Sequence, residues 1–370
     1  MVKEKLLIFT GTGVEVNRGK IFAKPQYARY LSDLTQVFDV IWLTTLYEST
    51  NFNTELKDVK TRWFKKKRFR IHLLQFHFSF FYEAIKADKI LIFLPGGSML
   101  FPWIFLLPLF KKKLTSYIGV DPTNQVHGKY KIIDSLWTSS IKSIISSCNS
   151  VICRGVYLQN QVLEINPNVQ TINTIPLANF GWENIEQPSI KTKFQNKTLI
   201  YLGQINEGKG IFNLLNAMKV LPDLVKLIIV GIGLDYELAR KYIEKEGLVG
   251  RVRFVGWVNE KEEIQNYFND SSILVQPSIN PEGVPRSIDE AIYYYTPVIA
   301  TKVGGIPNEF AQGEINLIEP DDIKELIKAI NNMLYNFDEY HKYSKKMLER
   351  RSFITKTSPA IQHIKFLNKC

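Results

Sequence analysis

The sequence predicts an α/β protein made of two facing, doubly wound, Rossmann-like domains. Two observations carry this prediction. Short apolar runs alternate with amphipathic helical patterns along the chain, and the whole series occurs twice, once on each side of a polar stretch. Short apolar strands that alternate with helices favour parallel sheets covered by helices on both faces. Ligands of such sheets bind at the carboxyl ends of the strands.

The predicted strands divide evenly between the two halves. Those of the first half are Leu6–Phe9, Phe38–Leu43, Ile90–Leu94, Leu114–Ile118 and Ser150–Cys153. Those of the second half are Thr198–Leu202, Val225–Val230, Val252–Phe254, Ile273–Val275 and Val298–Ala300. Helical patterns in the second half cover Ile211–Leu221, Tyr236–Glu246, Ile264–Asn269 and Asp322–Leu334. A domain boundary is expected within Gly181–Gln195, which gives domains of residues 1–182 and 196–345 followed by a terminal segment, 346–370.

Length and cysteine content restrict the class of protein. A chain of 370 residues has room for two domains with ample cores. Its three cysteines are too few and too unevenly spaced for a disulfide framework or a zinc site, which fits buried thiols in a reducing, cytoplasmic compartment. The apolar core of Met1–Thr10 is too short for a signal peptide. This segment is expected to be a first strand that enters a glycine turn at Gly11 and Gly13.

The excess of positive charge is confined to the first half of the chain. Residues 1–180 contain 23 Lys and Arg against 12 Asp and Glu, whereas residues 181–370 contain 24 of each kind. The whole excess of +11 therefore belongs to one predicted domain. Such segregation indicates that this domain faces a polyanion.

The segment from Ile90 to Phe110 contains no charged residue and is followed by three lysines, Lys111–Lys113. Its length and its flank resemble those of a membrane span. It is interrupted, however, by three prolines and by Pro95-Gly96-Gly97-Ser98, which is a turn signal. The sequence therefore favours a strand, a turn and an apolar helix from about Met99 to Phe110.

Two clusters combine basic and aromatic residues in the basic half. One is Lys65–Arg68 with its aromatic neighbours, and the other comprises the aromatic residues between Phe101 and Phe105 together with Lys111–Lys113. Such mixtures dock on anionic lipid surfaces, where each basic residue contributes ~1 kcal/mol. An anionic membrane surface is therefore the expected partner of this half. Nucleic acid is not expected as a partner, because no nucleic-acid-binding motif is present.

The segment from Pro277 to Asn308 is the best candidate for a functional site. Glu282 precedes a predicted helix start, and Glu290 lies within that helix, about 12 Å further along at ~1.5 Å rise per residue. Pro285 suits the first helical position, and the amides that follow would point toward an anion. Two carboxylates on either side of an anion-binding helix end could hold a nucleotide sugar by its hexose, diphosphate and ribose.

These residues resemble the signature of the family 4 (group 1) retaining glycosyltransferases. The Glu-x7-Glu spacing, Thr296-Pro297-Val298 and Gly304-Gly305 are similar to that family, and Gly203, Lys209-Gly210, Gly231 and Val252–Trp257 follow the same order across roughly residues 198–335. The resemblance implies the GT-B fold, with the helical stretch Ser344–Leu367 crossing back to the first domain. It also implies metal-independent transfer, with a nucleotide-sugar donor as co-substrate and no other cofactor.

The resemblance assigns donor contacts to individual residues. Lys209 would carry positive charge to the phosphates, Glu282 would accept hydrogen bonds from the donor sugar, and Glu290 would accept them from the ribose. Backbone at Gly203, Gly283 and Val284 and the side chain of Ser278 would line the site, and Trp257 and Val258 would lie near the base, although Trp257 could equally be a core residue. The family usually has Arg after the glycine, where this chain has Gln204. Arg18 or Lys20 could supply the missing charge.

Candidates in the first half are less defined. Many relatives place a histidine near the reacting carbon, and His127 and Asp121 are the candidates here, Asp121 also being a turn former before Pro122. Gly11 and Gly13 could approach the diphosphate or the acceptor. Neither Gly11-Thr12-Gly13 nor Gly231-Ile232-Gly233 has the third glycine of the dinucleotide-binding fingerprint, which argues against a dinucleotide oxidoreductase.

The expected function is that of a cytoplasmic, membrane-peripheral retaining glycosyltransferase, of the hexosyltransferase type, that acts on a lipid-linked saccharide in surface polysaccharide or glycolipid synthesis. The donor would bind the second domain and the acceptor the basic first domain. Two alternatives stay open: a non-hydrolysing nucleotide-sugar epimerase on the same fold, and a non-catalytic protein that binds a lipid surface or a polysaccharide. Replacement of the usual Arg by Gln204 keeps the second alternative open.

Overall fold

The computed structural model describes residues 2–46, 54–65, 69–94, 104–119, 131–174, 186–258 and 260–369. By contacts in space it divides into two compact units. Unit 1 comprises Met1–Gly181 and Thr357–Cys370, and unit 2 comprises Trp182–Lys356. The chain thus returns to unit 1 at residue 357, further along than the expected boundary at 345.

Unit 1 is built on a parallel sheet with the described strand order β5-β3-β1-β6-β7-β8-β9. A short antiparallel extension, β2 and β4, adds to β1. The strands are β1 (Lys5–Asn17), β2 (Lys20–Ala23), β3 (Asp39–Leu46), β4 (Thr54–Glu55), β5 (Lys60–Lys65), β6 (Lys89–Leu94), β7 (Leu114–Ile118), β8 (Ser150–Cys153) and β9 (Gln170–Asn173). The helices are α1 (Pro25–Thr35), α2 (Phe69–Lys86), α3 (Lys131–Ser147) and α4 (Val156–Ile165), with a 3₁₀-helix at Ile104–Lys113.

Unit 2 contains a parallel sheet in the order β12-β11-β10-β13-β14-β15, which is the Rossmann order 3-2-1-4-5-6. Its strands are β10 (Thr198–Leu202), β11 (Lys226–Val230), β12 (Val252–Gly256), β13 (Ile273–Gln276), β14 (Val298–Thr301) and β15 (Asn316–Ile318). Its helices are α5 (Ile190–Gln195), α6 (Ile211–Val220), α7 (Tyr236–Lys245), α8 (Lys261–Asn269), α9 (Arg286–Tyr293), α10 (Ile306–Glu309), α11 (Ile323–Tyr335) and α12 (Phe337–Lys356), with a 3₁₀-helix at Glu207–Lys209. The predicted α/β fold class with two doubly wound domains is confirmed.

Both sheets are covered on two faces. Along β10, Leu199 and Tyr201 belong to one buried cluster and Ile200 to another. Along β1, Leu7 packs into one cluster and Leu6 into a second. Successive side chains of a strand point to opposite faces, so each sheet has a core above and below it. This explains why the strands appear as uninterrupted apolar runs in the sequence.

The expected glycine turn at Gly11 and Gly13 is wrong. Strand β1 continues through both glycines to Asn17 and forms a hairpin with β2. Its pairing with β3 shifts between Phe9 and Gly13, where β1 contains extra residues relative to its neighbour. Such a bulge bends a strand without ending it, so the glycines lie within a strand.

The last helical stretch is two helices, not one. α12 ends at Lys356, and α13 (Pro359–Leu367) begins with a proline at its first position and with Ser358 as its N-cap. α13 belongs to unit 1, where the buried His363 contacts Tyr30 Oη (2.7 Å) and Thr174 Oγ1 (3.0 Å). The break follows from the proline, which favours a helix start and cannot continue an earlier helix.

The apolar stretch Ile90–Phe110 is a strand and a 3₁₀-helix at its two ends, and residues 95–103 lie outside the described part. The helix begins at Ile104 and runs through the three lysines, rather than ending before them. Among the described residues, no helix combines the length and the apolar character needed to span a bilayer. Cys148 and Cys153 are buried, as expected, and burial raises the pKa of each thiol to about 12.

Candidate active site

The candidate site lies at the carboxyl ends of β10 and β13, which are neighbours at the centre of the unit 2 sheet. Here the strand order reverses direction, and this switch point is where open α/β sheets bind ligands. The loop after β10 carries Lys209, and the loop after β13 carries Glu282. The fold therefore brings together two residues that are 73 positions apart in the sequence.

Glu282 is held by a donor on each of its carboxylate oxygens. Lys209 Nζ forms an ion pair with Oε2, and Ser278 Oγ donates to Oε1 at 2.6 Å. Ser278 is fully buried, whereas the side chains of Lys209 and Glu282 keep 26% and 19% of their exposure. The two protein donors thus fix the position of the carboxylate, which remains partly exposed and accessible to a ligand.

A series of side-chain hydrogen bonds continues from Ser278 to the start of helix α9. Gln276 Nε2 donates to Ser278 Oγ at 3.4 Å, and Ser287 Oγ donates to Gln276 Oε1 at 3.1 Å. Gln276 and Ser287 are buried. This connection fixes the Glu282 loop relative to the first turn of α9. Gln276 and Ser287 were not predicted as site residues, although a glutamine that ends a buried apolar strand was a usable signal.

Helix α9 begins at Arg286, with Pro285 as its N-cap, one position later than the sequence analysis expected. Its first turn carries Arg286, whose Nε lies 3.1 Å from Glu290 Oε1. The Glu290 side chain is only 10% exposed, and that of Arg286 is 57% exposed. Each of the two predicted donor carboxylates is therefore paired with a cation of the same unit.

Two glycines in the loops around the site permit close backbone approach. Gly304 has φ +54°, and a Cβ there would overlap the carbonyl oxygen of Glu282, while the Gly305 amide donates to that oxygen at 2.8 Å. Gly210 has φ +70°, and a Cβ there would overlap the Pro277 carbonyl oxygen. Only glycine leaves room for the Glu282 loop at these two positions and adopts their positive φ without strain, which explains why this site requires them.

The Lys209 turn is fixed by local caps. Asn206 Oδ1 accepts from the Lys209 amide at 3.0 Å, and Asp235 Oδ2 accepts from the Glu207 amide at 2.8 Å. The Ile279 and Asn280 amides donate to the Gly208 carbonyl oxygen at 2.9 and 3.0 Å. The turn is thereby tied to the loop that carries Glu282.

Two buried tyrosines lie near the carboxylates. Burial, and next the charge of Glu282, raises the pKa of Tyr201, whose hydroxyl donates to the Gln204 carbonyl oxygen at 2.6 Å. Burial, and next the charge of Glu290, raises the pKa of Tyr294. Both hydroxyls therefore stay protonated at neutral pH.

The remaining predicted residues have separate positions. Gly203 and Gln204 follow β10, with Gln204 exposed. Val284 is buried in the core beneath the site, and Gly283 is half-buried. Trp257 is 71% exposed after β12 and is not a core residue, whereas Val258 packs against the core. Gly11 and Gly13 lie in unit 1, and Asp121 and His127 lie outside the described residues.

Unit 2 contains a segment that is similar to known proteins. Residues 183–350 match the model of the family "Glycosyl transferases group 1". A 133-residue alignment is 31% identical to TuaC of Bacillus subtilis, a proposed teichuronic acid biosynthesis glycosyltransferase, and covers 35% of this chain and 31% of that protein. A 160-residue alignment is 29% identical to lipopolysaccharide 1,2-N-acetylglucosaminetransferase of Salmonella typhimurium and covers 40% of this chain and 42% of that protein. The chain thus spans less than half the length of these curated relatives.

The fold extends over the whole chain. The structure of Anabaena Alr3699/HepE in complex with UDP superposes with a TM-score of 0.67 at 17% identity, covering 99% of this chain and 100% of the other. At this identity the likeness concerns the fold alone, which is GT-B. Residues 183–350, which contain both predicted donor carboxylates and Lys209, are therefore similar to the group 1 glycosyltransferases within a chain of the GT-B fold.

Proposed function

We propose that the chain is a retaining glycosyltransferase that moves a hexosyl group from a nucleoside diphosphate sugar to a lipid-linked saccharide, in the synthesis of a surface polysaccharide or glycolipid. The observation that carries this proposal is the Lys209–Glu282–Ser278 arrangement at the sheet's switch point, inside the segment that matches the family. Relatives named for teichuronic acid and lipopolysaccharide support the acceptor class.

Each group at the site has a role in donor binding. Lys209 and the amides at the start of α9 would stabilise the negative charge that develops on the leaving diphosphate. Glu282 would accept hydrogen bonds from the sugar hydroxyls, and Glu290 from the ribose. Carboxylates suit this task because they accept several hydrogen bonds at once. UDP is the first nucleotide to test, because the Anabaena neighbour is described in complex with UDP.

Transfer with retention proceeds on one face of the sugar. The bond from the anomeric carbon to the phosphate oxygen breaks while the bond to the acceptor oxygen forms, and the acceptor proton passes to the departing phosphate oxygen. A protein base is then unnecessary, so neither His127 nor Asp121 has to act as one. The test is the anomeric configuration of the product by NMR: an inverted product would exclude this route.

Transfer is proposed to be independent of a metal ion. Within the described ranges, no group of three or more His, Cys, Asp or Glu side chains is arranged to hold one. Lys209 and the helix amides would supply the positive potential at the diphosphate. Turnover that is unchanged by EDTA supports this proposal, and turnover that stops and returns with added Mg²⁺ or Mn²⁺ contradicts it.

An anionic membrane surface is the proposed partner of unit 1. Helix α2 packs Phe80 and Ala84 into the core, yet its opposite face exposes Phe78, Tyr82 and Ile85 at 70%, 54% and 70%. A helix that is apolar on both faces needs a second apolar environment. The exposed face of α2 is therefore a candidate for insertion at a lipid interface.

Basic residues adjoin this exposed face. The 3₁₀-helix Ile104–Lys113 packs beside α2, since Lys113 Nζ donates to the Ala87 carbonyl oxygen at 2.6 Å. The same helix exposes Leu109 at 77% and carries the exposed Lys111 and Lys112. Apolar side chains with neighbouring lysines suit an anionic bilayer. Of the two clusters expected from sequence, residues 66–68 and 101–103 lie outside the described part.

Nucleotide binding tests the catalytic proposal. We expect calorimetry with UDP, GDP and ADP to show binding of one of them, and we expect slow hydrolysis of the matching nucleotide sugar. Lys209→Ala and Glu282→Ala should each reduce hydrolysis by ~100-fold or more, the scale of losing one preorganised group. Lys219→Ala, which breaks the remote Lys219–Glu246 ion pair (2.6 Å), is the matched control and should retain activity.

The alternatives predict other outcomes. A non-catalytic surface-binding protein would bind none of the three nucleotides. A nucleotide-sugar epimerase would convert the donor to its epimer without needing an acceptor. Either result would replace the transferase proposal.

Vesicle binding tests the membrane proposal separately. We expect co-sedimentation with phosphatidylglycerol vesicles at low salt and little with phosphatidylcholine vesicles. The double variants Lys111→Glu/Lys112→Glu and Phe78→Ser/Ile85→Ser should each lose binding, whereas Val220→Ser/Leu224→Ser, equally exposed residues of unit 2, should not. Equal binding by all variants would show that another surface docks, or none.

A further inference from the structure

The two predicted donor carboxylates are both occupied by cations of the protein. Glu282 pairs with Lys209, and Glu290 pairs with Arg286. A nucleotide sugar needs carboxylates free for its hydroxyls and cations free for its diphosphate. In this structure the two kinds of group neutralise each other, so donor binding requires an exchange of partners.

Arg286 is well placed for such an exchange. It is the first residue of α9, and its side chain is 57% exposed. Helix side chains lean toward the N-terminus, so the Glu290 carboxylate, one turn later, meets the guanidinium near the helix start. Amides at a helix start also attract an anion. The guanidinium can therefore reach an anion there by rotating about its own side-chain bonds, without movement of the backbone.

The exchange would also replace a missing charge. Gln204 is exposed and neutral at the position after Gly203 where the resembling family usually has Arg. Lys20, one substitute considered from the sequence, is paired with Glu55 in unit 1 (3.0 Å). Arg286 belongs to the unit that carries Lys209, and a guanidinium binds phosphate oxygens in a two-pronged geometry.

We infer that Arg286 is a counter-ion with two positions. Without donor it pairs with Glu290; with donor it binds the diphosphate and releases Glu290 to the ribose hydroxyls. The inference rests on the proposed function, and it adds a diphosphate-binding residue that the sequence analysis did not include. The guanidinium side of this pair is exposed to solvent, and ion pairs one helical turn apart are weak, so the exchange opposes binding only slightly.

The test compares a nucleotide with its nucleoside. Arg286→Gln removes the cation from the diphosphate and also removes the Arg286–Glu290 ion pair, so UDP and uridine should respond differently. We expect the affinity for UDP, measured by calorimetry, to fall ~10- to 100-fold, the scale of a hydrogen bond to a charged group. Uridine affinity, measured by displacement of UDP, should stay equal or rise. Arg286→Lys should recover part of the UDP affinity.

Lys342→Gln is the matched control. It breaks another ion pair within one helix, Lys342–Glu339 at 3.1 Å and three residues apart, and should change neither affinity. A parallel loss of UDP and uridine affinity in Arg286→Gln would show that Arg286 only positions Glu290, and unchanged UDP affinity would show that it plays no part; either result overturns the inference and leaves the transferase proposal standing. A wild-type protein that binds neither UDP, GDP nor ADP would instead overturn both.

Discussion

The two units share a doubly wound parallel sheet but differ at the end of their first strand. In unit 2, β10 stops at Leu202, and the chain turns into the loop that carries Lys209. In unit 1, β1 continues to Asn17 and forms a hairpin with β2. The same architecture thus ends in a tightly constrained polar site in one unit and in an extended sheet in the other.

The units also differ in what surrounds the sheet. The half of the chain that contains unit 2 has no net charge and matches a known family, whereas all the excess positive charge lies in the other half, where α2 exposes an apolar face. Loops are the parts of a fold that change most readily, because the core does not depend on them. Binding a nucleotide-sugar donor requires loops with a fixed conformation, whereas binding a lipid surface requires only charge and exposed apolar area.

The largest expected effect separates glycines of the two units. Gly304→Ala in unit 2 would push against the Glu282 carbonyl oxygen, so we expect at least ~100-fold loss of donor-sugar hydrolysis and about 2–4 kcal/mol of destabilisation. Gly19→Ala, at a positive φ in the unit 1 hairpin with open space around it, should cost only about 1 kcal/mol and leave hydrolysis unchanged. Similar losses in both variants would mean that backbone conformation, and not close approach, governs the site.

A buried lysine should contribute to the stability of unit 2. Lys193 is 2% exposed, and its Nζ donates to the Phe268 and Tyr294 carbonyl oxygens (2.9 and 3.0 Å) and to Thr296 Oγ1 (2.6 Å). Lys193→Met should lower the free energy of unfolding by about 2 kcal/mol in urea denaturation, because it leaves buried acceptors under-satisfied. Lys219→Met, at an exposed ion pair, is the control and should cost little.

Lys193 should also make the stability of unit 2 depend on pH. Burial lowers the pKa of Lys193 to about 7, below its ordinary value of 10.5. The unfolded state then binds more protons between these values, so unit 2 should gain stability as pH rises from 7 toward 10. Lys193→Met should lack this gain, and an equal gain in the variant would assign it to other groups.

A buried histidine should make the stability of unit 1 depend on pH, in a lower pH range than the lysine of unit 2. Burial lowers the pKa of His363 to about 3 from its ordinary 6.5. The unfolded state alone is protonated between those values, so unit 1 should lose stability as pH falls below 6.5, by about 2–3 kcal/mol at pH 4.5. His363→Gln should flatten this dependence, measured by urea denaturation at pH 7 and 4.5. The exposed His341, changed in the same way, should not.

The smallest expected effect concerns the missing arginine. If Arg286 already supplies the second cation, Gln204→Arg should raise UDP affinity by less than ~5-fold, because a third cation adds little to a neutralised diphosphate. In the Arg286→Gln background the same change should restore most of the lost affinity. A large gain in the otherwise unchanged protein would show that the charge at the site is incomplete.

Much of unit 2 could be predicted because its signals are local. Strand β10 has its predicted bounds, and α11 (Ile323–Tyr335) agrees closely with the predicted helical pattern Asp322–Leu334. The positions of Glu282, Lys209 and Ser278 were predicted as separate residues, but their mutual contacts depend on which strands are neighbours. Gln276 and Ser287 were missed although they are only 11 positions apart, because their contact depends on how the loop between β13 and α9 folds.

Unit 1 was harder to predict because its distinctive features are exceptions to local rules. The bulge in β1 looks like a glycine turn, since glycine suits both. The exposed face of α2 cannot be identified from the sequence either, because a helix that is apolar on all sides gives no indication of which side packs against the core. Only packing against the sheet shows that Phe80 faces inward and Phe78 outward.

The sequence by itself determined the order and type of most elements, the confinement of the excess positive charge to one half and the acidic pair around the start of α9, because periodicity, charge and capping act over a few residues. Only the tertiary structure decided that Lys209 meets Glu282 and that α13 packs in unit 1. These outcomes depend on strand order and long-range packing, in which residues far apart in the chain compete for the same partners.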